Sequence, residues 1–179
     1  MFAKRMGGND IHVALLNSLP PLVAIFVLIP FGLLIEHINR KKKTVLLLIF
    51  ILSLFHAAIA FVPIIPNPIK VMAYVVLIGF MNCPGALYLT TWQSFFADNF
   101  KGSFANRVYT LRSKYSTFFG LVTVLTTGIL LTLVPKSDED RIFLYQVFYS
   151  VCFLLTLVQM LLFSRVHEHK TASAAKAGA

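Results

Sequence analysis

The chain has 179 residues, 58% of them hydrophobic and 13% charged, with a net charge of +9 and a mean hydropathy of +0.78. A soluble domain of this size cannot keep so much apolar surface from water, so lipid is the natural solvent. The positive charge is confined to short loops and one tail, and nothing resembles an aromatic RNA-binding sheet or a recognition helix, so nucleic acid is excluded as a partner.

Crossing the hydrocarbon takes about 20 apolar residues in a helix. Five segments qualify, at 11–35, 44–64, 70–97, 107–134 and 142–164. Open strands are excluded because unpaired backbone groups are intolerable in lipid, and the alternating pattern of a membrane barrel is missing. The expected class is an all-α integral membrane protein of about five transmembrane helices. Residues 1–10 are too short and polar for a signal core and read as an extracytoplasmic stub. Residues 11–164 then form one helical transmembrane domain.

The first segment is apolar apart from Asn17, Ser18 and prolines. It ends in a basic hairpin, residues 32–43, which reads Gly-Leu-Leu-Ile-Glu-His-Ile-Asn-Arg-Lys-Lys-Lys. The second carries only Ser53 and His56 as polar residues. Pro63, Pro66 and Pro68 punctuate the next connection, since proline removes a donor and stops a helix. Residues 99–106 join the third segment to the fourth, and residues 135–140 join the fourth to the fifth. The tail, 165–179, turns polar and then Ala-rich; it is expected to be cytoplasmic and disordered.

Placing residues 40–43 in the cytoplasm gives that side eleven basic residues: Arg40, Lys41, Lys42, Lys43, Lys101, Arg107, Arg112, Lys114, Arg165, Lys170 and Lys176. The other side receives five, together with the acidic cluster Asp138, Glu139 and Asp140. The positive-inside rule then sets the N-terminus outside and the C-terminus inside.

These residues resemble the major facilitator superfamily. Its members carry, after their second helix, a loop reading Gly-x-x-x-Asp-Arg-x-Gly-Arg-Lys/Arg. Here Gly32, Arg40 and Lys41 match it. Glu36 stands for the aspartate, His37 for the arginine and Asn39 for the second glycine; Asn is well able to take the left-handed backbone a glycine would. Residues 1–8 with 15–20 are similar to the family's passage from helix one to helix two. Phe95-Phe96-Ala97-Asp98-Asn99-Phe100, with Arg107 beyond, is similar to its exit from helix four. The resemblance covers residues 1–164 and numbers the five segments as helices two to six of an N-terminal half, with helix one and the second half absent.

The resemblance implies that Glu36, Arg40 and Lys41 form a cytoplasmic gate latch, with Arg107 or Arg112 as partners. The residues alone fit topology equally well, with lysines meeting headgroups. Asp98 and Arg107 read as a second pair at the same rim, or as an exposed loop pair worth about 0–1 kcal/mol. The resemblance implies that helices two, four and five border a substrate cavity, and Asn17, Asn82, Trp92 and Gln93 are the candidates for it, since polar side chains in lipid face protein or water. Hydrogen bonding between helices and interfacial anchoring are the plainer reading of that set.

Ser113, Ser116, Thr117, Gly120, Val124 and Thr127 share a face and read as a helix interface. Tyr145, Tyr149, Cys152, Thr156 and Gln159 read as packing or as a dimer seam. His56 reads as a neutral histidine bonded to a neighbour. Cys83 and Cys152 lack metal-ligand spacing and read as lipid-buried thiols. His167 and His169, flanking Glu168, are weak evidence for a metal, and none is expected. The family's frequent arginine in mid-helix four is replaced by Gly79-Phe80-Met81-Asn82, so proton coupling has no evident carrier.

Phosphate loops, zinc-protease motifs and Ser/His/Asp sets are missing, so neither an enzyme nor a cofactor is expected. The leading expectation is a partial secondary transporter, a facilitator-type permease of the plasma membrane for an unidentified small solute. Alone it would be inactive, because alternating access needs two halves. The alternative is a small autonomous membrane protein acting as an interaction or assembly subunit. The implied partners are the bilayer, a small solute, and the missing transporter half or another copy. In a background lacking Cys83 and Cys152, a thiol introduced by Lys41→Cys should escape an impermeant maleimide in intact cells and react after permeabilisation. Labelling in intact cells would reverse the topology.

Overall fold

The computed structural model describes residues 2–36, 38, 40–66, 69–100 and 102–166, without the side chains of Phe2 and of residues 32–36. Every element among them is helical: α1 (Phe2–Arg5), α2 (Asp10–Glu36), α3 (Lys41–Phe61) continued by a 3-10 turn (Val62–Ile64), α4 (Ile69–Asn99), α5 (Gly102–Leu133) and α6 (Asp138–Ser164). Helices α2 to α6 are each long and apolar enough to cross a membrane, as a multi-pass membrane protein requires. Of the expected disordered tail, only Arg165 and Val166 belong to the described residues.

The five long helices fall on the five expected segments, but their ends run further. Helix α3 starts at Lys41, α5 at Gly102 and α6 at Asp138, while α4 continues to Asn99. The added turns are polar. Hydropathy marks what lipid must cover, whereas a helix continues until a cap or a turn stops it. At α6 that stop is a capping box. Ser137 Oγ accepts from the Asp140 amide at 3.1 Å, and the Asp140 carboxylate accepts from the Ser137 amide at 3.0 Å. Asp138, Glu139 and Asp140 also place negative charge at the positive end of the helix dipole. At α5 the boundary is Gly102, whose φ of +65° suits a residue without a Cβ.

Prolines 20, 21 and 30 lie inside α2 and Pro84 inside α4. Each removes one amide donor, a loss that spanning helices tolerate through local adjustment and neighbouring groups.

Helix α2 packs on α4, α4 on α3, and α3 on α6. The buried core gathers where α1, the end of α3 and the start of α4 meet: Ala3, Met6, Ile59, Val62, Val71 and Tyr74. Helix α6 closes it with Tyr145 and Tyr149. The hydroxyls of Tyr74 and Tyr149 lie 3.0 Å apart, and Gln146 Nε2 donates to the Ala60 carbonyl at 3.1 Å. The first residues are more than a stub. The Gly8 amide closes onto the Ala3 carbonyl at 2.9 Å, and a Cβ at Gly8 would come within 2.7 Å of that oxygen. Arg5 then pairs with Asp138, which also holds Arg141 at 3.2 Å.

Helix α5 departs from expectation. It packs extensively on none of the other helices, so the face from Ser113 to Thr127 is not a helix interface within this chain. A Cβ at Gly120 or Gly128 would meet nothing within 4 Å. Its hydroxyls bond their own helix instead, Thr123 to the Phe119 carbonyl and Thr127 to the Thr123 carbonyl, both at 2.7 Å. The α6 face divides: Tyr145 and Tyr149 pack on the core, Cys152 is exposed, and Gln159 Nε2 donates to the Tyr88 hydroxyl at 2.8 Å.

Ile59 is fully buried, while Val124 is 70% exposed. In detergent, Ile59→Ala should therefore cost about 2–5 kcal/mol of stability and Val124→Ala less than about 0.5 kcal/mol, read from paired thermal unfolding curves.

Candidate functional site

Antiparallel connection brings the ends of α2, α4 and α6 to the same side as the starts of α3 and α5. Lysines at a helix start oppose that helix's own dipole. The carbonyl ends of α4 and α6 reverse the local balance, and two lysines use them. Lys41 Nζ lies 2.6 Å from Asp98 Oδ2 and donates to Ser94 Oγ at 2.7 Å, both on α4 and one turn apart. Lys42 Nζ donates to the Ser164 carbonyl, at the last residue of α6, at 2.7 Å. The rings of Phe95 and Phe163, 5.3 Å apart, close α4 against α6 beside them. The Lys41 side chain is 14% exposed and that of Asp98 34%. The pair is therefore half withdrawn from solvent, where charge-assisted hydrogen bonds gain strength.

This arrangement reassigns two expected partnerships. Asp98 pairs with Lys41 rather than with Arg107, because α3 packs along α4 whereas α5 meets α4 only near the turn between them. Arg112 lies over Trp92, its guanidinium carbon 3.7 Å from the ring centroid, a cation–π contact. Trp92 stacks on Phe96 at 5.2 Å, Phe96 meets Phe100 at 4.8 Å, and Phe100 meets Phe104 at 5.8 Å. This aromatic ladder fastens the start of α5 to the end of α4. Gly32 and Glu36 lie in the last two turns of α2, and Arg40 is exposed between α2 and α3. His37, Asn39, Lys101, His167, Glu168 and His169 lie outside the described residues.

The cavity candidates lie on two helices, Asn17 on α2 and Asn82, Trp92 and Gln93 on α4. Asn17 and Gln93 are exposed on α2 and α4. Asn82 Nδ2 donates to the Ile78 carbonyl of its own helix at 2.8 Å. His56 Nδ1 likewise reaches the Leu52 carbonyl at 2.8 Å, as a donor, since a carbonyl only accepts. A shallow groove of about 390 Å³ along α6, lined by Leu155, Val158, Gln159, Leu162, Phe163 and Val166, includes none of the four. No group of three His, Cys, Asp or Glu among the described residues is placed to hold a metal.

Three contacts were not foreseen. Ser94 carries a weak signal, standing four residues before Asp98 on one helix face. The bond from Lys42 to a backbone carbonyl and the seating of Arg112 on Trp92 leave no mark in the sequence, because both depend on how helices pack.

The geometry defines a class: an all-helical multi-pass membrane protein whose basic end is clasped by lysines between helices. Comparison with known proteins gives no matching family model, curated protein or solved structure.

The half-buried clasp should show in a double-mutant cycle. Lys41→Ala and Asp98→Ala should each destabilise by about 1–3 kcal/mol, and the double variant by much less than their sum. Arg107→Ala should leave the Asp98→Ala cost unchanged.

Proposed function

We propose that this chain is part of a facilitator-type secondary transporter of the plasma membrane, with its basic end cytoplasmic and a small solute as cargo. The observation carrying this reading is the Lys41–Asp98 pair. It joins two of the stretches behind the family resemblance, the basic loop and the exit from the helix numbered four, which stand 57 residues apart. A carboxylate–ammonium clasp at the rim keeps α3 and α4 together as one body moves. In this reading Lys41 and Asp98 hold the rim, Glu36 and Arg40 belong to the gate latch, and Asn17, Asn82, Trp92 and Gln93 are the residues for cargo contact. Alternating access needs two bodies moving against each other. Helices α2, α3, α4 and α6 form one body, and the unpacked α5 is where a further helical body joins.

A second reading is favoured by α5 alone. A spanning helix that packs extensively on no other helix of the chain suits an interaction or assembly subunit that holds another membrane protein along that face.

The genomic frame separates the two. The transporter reading expects an apolar helix in frame ahead of Met1 and six more after Ala179, and vesicles holding only this chain should show no solute flux while the joined product does. Unrelated frames on both sides would overturn the transporter reading and leave the subunit reading standing.

A further inference from the structure

The basic end holds more positive charge than the clasp uses. Lys41 and Lys42 are spent on Asp98, Ser94 and the Ser164 carbonyl. Arg107, Arg112 and Lys114 are exposed and, among the described residues, have no carboxylate partner. All three lie within the first thirteen residues of α5, which contain no acidic side chain.

Helix α5 has 32 residues, a length of about 48 Å, against a hydrocarbon core of about 30 Å. Residues 115–133 contain no charge and suffice to cross that core. Residues 102–114 then rise about 20 Å past it, through the headgroup layer. This projecting stretch is amphipathic. Phe104, Val108, Leu111 and Tyr115 follow a 4-3-4 spacing on one face, with Phe104, Leu111 and Tyr115 exposed. Arg107 and Lys114, seven residues apart, border that face on one side. Arg112 borders it on the other, held against Trp92. An apolar stripe flanked by cations is the pattern of a helix seated among lipid headgroups. Guanidinium and ammonium groups also supply the donors that a phosphate oxygen accepts.

We propose that the first turns of α5 are a docking site for the phosphate headgroup of an anionic phospholipid, with Arg112 and Lys114 at phosphate depth and Arg107 one step further out. Net negative lipid is selected over zwitterionic lipid because the site holds three cations and no acid. Trp92 positions Arg112 from α4, so lipid binding and the α4–α5 junction are coupled.

The test uses the full chain in vesicles of phosphatidylcholine with a minority of phosphatidylglycerol. Motional restriction of spin-labelled phosphatidylglycerol is compared with that of spin-labelled phosphatidylcholine. The wild type should prefer phosphatidylglycerol. R107A/R112A/K114A should lose that preference, by up to about fivefold for each charge removed. Lys136→Ala, at the other end, should leave it intact, and added inorganic phosphate should not displace the lipid. Retained preference in the triple variant, equal loss in Lys136→Ala, or displacement by inorganic phosphate would each overturn the proposal. Should the triple variant lose helical circular dichroism, Arg107→Glu at its exposed position applies the same criteria.

Discussion

Lipid offers no hydrogen bonds, and that constraint governs how this chain handles its polar atoms. Within the spans many of them are met by the nearest backbone, while the buried Thr91 hydroxyl has no partner among the described residues. Ser53 Oγ donates to the Phe50 carbonyl at 2.7 Å, Thr90 Oγ1 to the Ala86 carbonyl at 2.7 Å, and Asn82 and His56 behave in the same way. A side chain satisfied by the turn below it needs no partner helix and no ligand. Polarity inside a hydrophobic run therefore does not by itself call for a binding site. The informative polar groups reach between helices: Lys41 to Asp98, Lys42 to Ser164, Gln146 to Ala60, Gln159 to Tyr88, and Tyr74 to Tyr149.

Those reaching groups sort by depth, and the sorting has an electrostatic cause. At the ends of the bundle the partners are ionic, Lys41 with Asp98 on one side and Arg5 with Asp138 on the other. Between the ends they are neutral amides and phenols. A charge near a helix terminus meets the dipoles of adjacent antiparallel helices and partial solvent, both of which reduce the cost of ionisation. A charge at mid-span would have neither. The basic end can thus hold many cations because three helices finish there and only two begin.

Much of the fold was legible because lipid imposes a simple rule of length and hydropathy. The five spans follow from runs such as residues 45–64, and the connections from Pro63 and Pro135. The helix ends were less legible, because Ser137 and Gly102 set them through capping and turn geometry rather than hydropathy. The site was legible only in part. Lys41 and Asp98 were both singled out, but neither was assigned to the other. Pairing depends on which helices touch, and composition does not encode the order in which α2, α4, α3 and α6 pack. Arg112 and Trp92 were likewise noted separately, and only the α4–α5 turn brings them together.

Helix α5 shows how that turn can hold a helix without a packing face. Its attachment is aromatic and local, through Trp92, Phe96, Phe100 and Phe104 and the guanidinium of Arg112. These contacts sit at the basic end, and the rest of the helix is left largely exposed. In lipid this costs little, since acyl chains solvate Leu and Phe as well as a neighbouring helix does, and no hydrophobic force pulls α5 inward. The clasp, by contrast, fixes α3 against α4 and α6 through ionic and carbonyl contacts that headgroups and water must compete for. The same end of the molecule therefore combines an ionic joint, built on Lys41 and Lys42, with an aromatic one, built on Trp92 and Arg112. Ser94 and Asp98, which the clasp uses, and Trp92 and Phe96, which hold α5, lie on opposite faces of α4.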